Sequence, residues 1–154
     1  MSASAHHDAP SSRIIENLIA TYAFLVDDGE FAKLGDLLAD ASFSLNGGPA
    51  IKGRDAIERF AYDTLQTYDD GTPRTRHVTT NIIIEIDEDA GTAVSRSYYT
   101  VFQSLPDFPL QAIASGRYQD RFERQHGQWR FAERIVSTSL VGDVSHHTRN
   151  APQG

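Results

Sequence analysis

The sequence predicts an α+β domain. Every helical pattern falls before residue 66, every long strand pattern falls after residue 75, and no strand separates one helix from the next for long enough to build alternating α/β units. At 154 residues the chain is one ordinary domain. A chain of this size buries roughly 70% of its unfolded surface, so it needs no covalent staples. It has no cysteine, which excludes disulfides, thiolate metal sites and cysteine nucleophiles.

The first helix is predicted between Pro10-Ser11-Ser12 and Gly29. Ile14, Ile15, Leu18, Ile19, Tyr22, Leu25 and Val26 recur at helical spacing and form one apolar stripe. A shorter helix follows, burying Phe31, Leu34, Leu37 and Leu38. Ser42 to Leu45 alternates as a strand and stops at Asn46-Gly47-Gly48-Pro49. A third helix starts near Arg54-Asp55 and buries Ile57, Phe60, Ala61 and Leu65.

Four long strands complete the chain. Residues 76–87 place Val78, Ile82, Ile84 and Ile86 on one face. His77, Thr79, Asn81 and Glu85 take the other. Asp87 to Gly91 is a hairpin turn. Residues 92–105 form the next strand, which Pro106-Asp107-Phe108-Pro109 breaks. Residues 110–124 form the third, the turn at Gln125-His126-Gly127-Gln128 follows, and Trp129 opens the fourth, ending near Val141. Fourteen residues at about 3.4 Å each span roughly 48 Å. A domain of this size has a radius of gyration of only about 15 Å, so the strands must twist and bend. The three helices are then the elements available to fill the concave side, leaving space for a pocket at one end. The domain is read as residues 10–145, with polar tails at 1–9 and 146–154.

Composition narrows the function classes. Fourteen Lys and Arg face 21 Asp and Glu, a net charge of −7 with no basic cluster, which argues against nucleic acid as a partner. No apolar run reaches the roughly 20 residues of a membrane span. The first residues lack the basic start and apolar core of a signal peptide, so a cytoplasmic location is expected. His6-His7 and His146-His147 lie in the predicted tails, where adjacent pairs hold metal poorly.

Four stretches are similar to a known family. They are Tyr22-Ala-Phe-Leu-Val-Asp27-Asp-Gly-Glu-Phe31 with Leu37 to Phe43; Ile51-Lys-Gly-Arg-Asp-Ala-Ile57; Thr75-Arg-His77-Val-Thr-Thr-Asn81-Ile-Ile-Ile-Glu-Ile86; and Gly116 to Arg124 with Gly127 to Arg134. In order and spacing the chain resembles the SnoaL-like group of the nuclear transport factor 2-like superfamily, which includes ketosteroid isomerase, scytalone dehydratase and hexachlorocyclohexane dehydrochlorinase. The resemblance implies a cone-shaped α+β barrel, three helices packed in a strongly curved, mostly antiparallel sheet. It implies a histidine general base oriented by an aspartate, at positions matching His77 and Asp27. Bile-acid dehydratase relatives add a tyrosine five residues before the aspartate, and Tyr22 matches. Their further acid on the next long strand has no counterpart, because Ser97 to Gln103 contains no carboxylate.

The residues themselves leave alternatives open. Asp27 reads equally as a solvated acid at a helix end, where the macrodipole disfavours it unless a donor compensates. His77 shares a polar face with Thr79 and Asn81 on a strand that reads as central, which suggests a lined cavity, and imidazole moves protons near neutral pH. Tyr22 lies in the apolar stripe and fits core packing as well as an oxyanion contact. Tyr98 and Tyr99 point to opposite faces, so one at most faces the cavity. Asn81, Tyr99 and Arg117 are the candidate substrate contacts, although an arginine there also suits a surface ion pair.

The expected activity is cofactor-free, metal-free proton transfer on a small hydrophobic, cyclic molecule, either elimination or isomerisation. The rival is a non-catalytic binding or structural protein, such as the small subunit of ring-hydroxylating oxygenases. A homodimer or homotrimer is expected through the apolar row Val78, Ile82, Ile84 and Ile86.

Overall fold

The computed structural model describes residues 9–149. Helices α1 (Ser11–Asp27), α2 (Phe31–Leu37) and α3 (Arg54–Thr64) come first, with the short strands β1 (Ser42–Leu45) and β2 (Ile51–Lys52) between the last two. The long strands β3 (Thr75–Asp87), β4 (Thr92–Leu105), β5 (Phe108–Gln125) and β6 (Gln128–Val141) follow. They form one six-stranded sheet in the order β2-β1-β6-β5-β4-β3. All pairings are antiparallel except β1 with β6. The sheet curves around the helices without closing, so the barrel is an open one.

The helices form where the apolar spacing predicts them. α1 buries Ile15, Ile19, Tyr22 and Val26 along one stripe. It stops in a Schellman turn: Glu30 N–H donates to Leu25 C=O, and Gly29 N–H donates to Val26 C=O. Gly29 takes φ +69°, and a Cβ there would lie 2.1 Å from the Gly71 carbonyl oxygen. The residue is thus required twice, for the left-handed turn and for the close approach of the 71 loop. At the other end, Trp129 Nε1 donates to Ser11 Oγ at 3.0 Å, tying the start of β6 to the start of α1.

Three features depart from the sequence reading. β3 is an edge of the sheet, not a central strand. Its alternation also changes phase at Asn81, which takes φ +56° where the β3–β4 register slips between Thr80 and Ile83. Asparagine tolerates this left-handed conformation better than most residues, and a bulge here shifts every later side chain to the opposite face. Ile84 and Ile86 therefore pack against the core, while Val78, Ile82 and Ile83 are the exposed apolar residues of this strand. The predicted interface row loses its last two members for that reason. The third departure is at the C-terminus. Residues 146–149, read as part of a tail, are docked on the body: Thr148 bridges Leu65, Gln66 N–H donates to His147 C=O, and Arg149 N–H donates to Thr64 C=O. Main-chain hydrogen bonds and polar side chains do this docking, so no apolar period announced it. The rest of both predicted tails, residues 1–8 and 150–154, lies outside the described residues.

Candidate active site

A cavity of about 360 Å³ opens between the helices and the concave face of the sheet. Its wall is mostly apolar, from side chains such as Val26, Leu38, Phe60 and Val101. Its polar side chains include Tyr22, His77, Tyr99, Thr138 and His147. Such a lining suits a hydrophobic small molecule oriented by a small number of hydrogen bonds.

The C-terminus of α1 brings Asp27 against the start of β3. Asp27 Oδ1 lies 2.6 Å from His77 Nδ1 and accepts from Thr75 Oγ at 2.8 Å. Asp27 Oδ2 accepts from the His77 backbone N–H at 2.7 Å. Both side chains are buried, at 8% and 9% exposure. These three donors compensate a carboxylate that the helix macrodipole opposes. They also fix which group faces where. The histidine ring lines the cavity, and the aspartate stands behind it. With Nδ1 spent on the carboxylate, Nε2 has no hydrogen-bond partner among the described residues, on a ring that lines the cavity.

Tyr22 also lines the cavity. Its ring packs edge-on against Tyr118 at 5.8 Å, and the Arg134 guanidinium sits over it at 4.3 Å. Burial raises the Tyr22 pKa to about 12, with Arg134 opposing, so the hydroxyl stays protonated and can donate. Tyr99 faces inward and stacks on Tyr118 at 4.6 Å, while its hydroxyl pairs with Thr138 Oγ at 2.8 Å. Its neighbour Tyr98 faces out. Arg134 lies 3.7 Å from the centre of the Tyr118 ring and forms a two-pronged ion pair with Asp120, at 2.8 and 2.9 Å. This wholly buried pair underlies the tyrosines of the site.

The other two predicted contacts lie elsewhere. Asn81 is exposed at the β3 bulge and does not line the cavity. Arg117 is exposed on the outer face, 5.4 Å from the centre of the Tyr98 ring. Residue 117 alternates with the inward-facing Gly116 and Tyr118, so its side chain points out.

Sequence reasoning missed His147, which is buried and lines the cavity with its ring centre 6.1 Å from that of His77. It also missed the Asp120–Arg134 pair. The alternation offered a signal for that one, since Asp120 falls between Tyr118 and Phe122 on the inward face. Among the described residues, no group of three His, Cys, Asp or Glu side chains could hold a metal ion. No helix there is long and apolar enough to cross a membrane.

The sequence profile of the SnoaL-like domain matches residues 8–135. The chain belongs to the SnoaL-like family. Its fold is similar to that of an NTF2-like protein with a cystatin-like fold from Novosphingobium aromaticivorans, 21% identical, with a TM-score of 0.69 over 82% of this chain and 80% of that one. A protein of unknown function from Mycobacterium tuberculosis is 27% identical, with a TM-score of 0.67 over 82% of this chain and 70% of that one. A putative scytalone dehydratase from Novosphingobium aromaticivorans is 23% identical, with a TM-score of 0.67 over 86% of each chain. The beta subunit of a putative aromatic-ring-hydroxylating dioxygenase from the same organism is 18% identical, with a TM-score of 0.67 over 88% of this chain and 94% of that one. No curated protein sequence matches significantly.

Proposed function

We propose that this SnoaL-like protein is a cofactor-free proton-transfer enzyme acting on a small hydrophobic, cyclic molecule. The observation that carries the reading is the Asp27–His77 pair, with the carboxylate behind the ring and the ring in the cavity wall. A protein that only binds apolar ligands needs the cavity. A buried carboxylate on the ring's Nδ1 favours a base over a plain binding group, while Thr75 Oγ and the His77 main chain also tie that carboxylate to β3.

His77 Nε2 takes a proton from a substrate carbon. The electrons of that C–H bond form the new C=C bond. In an elimination, the C–O bond to the leaving hydroxyl breaks at the neighbouring carbon, and the proton leaves with it as water. In an isomerisation, the same proton returns to a different carbon and nothing leaves. In both, Asp27 stabilises the imidazolium and fixes the tautomer. The Tyr22 hydroxyl, protonated near neutral pH, donates to the oxygen on which charge develops.

The test is turnover of a panel of cyclic alcohols, enones and halides by wild type, His77→Gln and Asp27→Asn. On an active compound, His77→Gln abolishes turnover, because an amide cannot take the proton. Asp27→Asn lowers kcat by roughly two to four orders of magnitude while keeping binding. Turnover at the wild-type rate by either variant refutes the mechanism.

A further inference from the structure

The C-terminal segment carries a polar group into the cavity and is held there by unusual means. After β6, Gly142 N–H donates to Ile113 C=O at 2.7 Å. Gln66 Nε2 donates to both Ser145 C=O and Thr148 C=O at 2.8 Å. The buried Gln103 donates through Nε2 to His146 C=O at 3.1 Å, and the Tyr68 hydroxyl donates to the same carbonyl. Three side chains, two from the loop between α3 and β3 and one from β4, are thus committed to fixing the backbone on either side of His147.

The ring that they fix is only partly satisfied. His147 Nδ1 is fully enclosed and has no hydrogen-bond partner. An enclosed bare nitrogen is easier to tolerate than an enclosed orphan N–H, so the proton belongs on Nε2. Nε2 is the ring's open polar atom, on a residue that lines the cavity. Burial keeps the ring neutral near pH 7, as its pKa is pushed down to about 4. His77 has the opposite arrangement, with its Nδ1 proton directed to Asp27 and Nε2 bare. The cavity therefore presents one acceptor, on His77, and one donor, on His147.

The spacing suits one shared atom. An oxygen hydrogen-bonded to an imidazole nitrogen lies about 4 Å from the ring centre. With the ring centres 6.1 Å apart, a single oxygen can reach both rings.

We propose that His147 is a substrate-binding residue of this site, donating from Nε2–H to a hydroxyl or carbonyl oxygen of the ligand. It selects oxygenated cyclic compounds over hydrocarbons of the same shape. A hydroxyl satisfies both histidines, accepting from His147 and donating to His77. The proposal deepens the function proposed above. It rests on that reading for the cavity and for the tautomer of His77, but not for turnover.

The test is binding of 2-naphthol and of naphthalene, which share a shape and differ by the oxygen. Wild type binds 2-naphthol more tightly. His147→Phe loses about tenfold of that preference, the value of one hydrogen bond. His147→Gln, whose amide restores a donor, recovers part of the preference. A His147→Phe protein that keeps the full preference, or a wild type with none, overturns the proposal. Ring-nitrogen NMR of wild type tests it without any variant: His147 carries its proton on Nε2, and its signals shift with 2-naphthol but not with naphthalene. An Nδ1–H tautomer or unshifted signals overturn it as well. If these results hold while no compound is turned over, the catalytic reading fails and this one stands.

Discussion

Removing Asp120 should be among the most damaging single changes in the molecule. Asp120 and Arg134 are both wholly buried, and they exchange two charged hydrogen bonds at 2.8 and 2.9 Å. Asp120→Ala leaves the guanidinium in place without its counter-charge, with one of its nitrogens already unpartnered. Stranding one member of a buried pair costs about 3–5 kcal/mol. For a domain of this size that is roughly 10–15 °C in Tm. The control is Asp40→Ala. Asp40 pairs with Arg130 at a shorter 2.6 Å, but both side chains are about half exposed, so its loss should cost less than about 1 kcal/mol. Replacing both buried partners, as Asp120→Leu with Arg134→Met, should recover most of the loss, since no charge is then left bare. Thermal and urea unfolding followed by circular dichroism measures all three. A loss below about 1 kcal/mol for Asp120→Ala, or equal losses at positions 120 and 40, would refute the reasoning from burial.

Three further outcomes are expected. Gly29→Ala should destabilise by about 2 kcal/mol or more, from the left-handed φ and the collision with the Gly71 carbonyl, as urea unfolding would register. His147 has a folded pKa of about 4 against an ordinary 6.5. The unfolded chain therefore binds a proton that the folded one refuses, and stability falls as pH drops through that window, by about 3 kcal/mol at its lower end. His147→Gln should remove this part of the acid sensitivity in melting curves taken across the same range. Light scattering should find a dimer or trimer, because Val78, Ile83, Val94 and Tyr98 are exposed apolar residues of β3 and β4; a monomer near 17 kDa would contradict that.

Legibility from sequence followed the range of the forces involved. The α1 stripe from Ile15 to Val26 is a local periodicity, and it was readable, as was the opposition of Tyr98 and Tyr99 on β4. The β3 phase change was not, because one left-handed residue, Asn81, reverses the faces after it. Three consecutive isoleucines after Asn81 were the available hint. That residues 27 and 77 match a catalytic pair came from the family resemblance. Helix spacing puts Asp27 well outside the direction of Tyr22, and only the fold brings the β3 start to the helix end. His147 was beyond reach for a different reason. The segment around it is polar and aperiodic, and it is fixed by side chains some 40 to 80 residues away in the chain.

Deuterium exchange in D2O tests the central claim most directly, because it reads proton transfer at carbon without requiring the natural product to be known. Cyclic ketones that fit the cavity should incorporate deuterium at the α-carbon faster with wild type than in buffer. His77→Gln should fall to the buffer rate, and Asp27→Asn should lie between the two. Exchange by His77→Gln at the wild-type rate would contradict the assignment of His77 as the base that Asp27 orients.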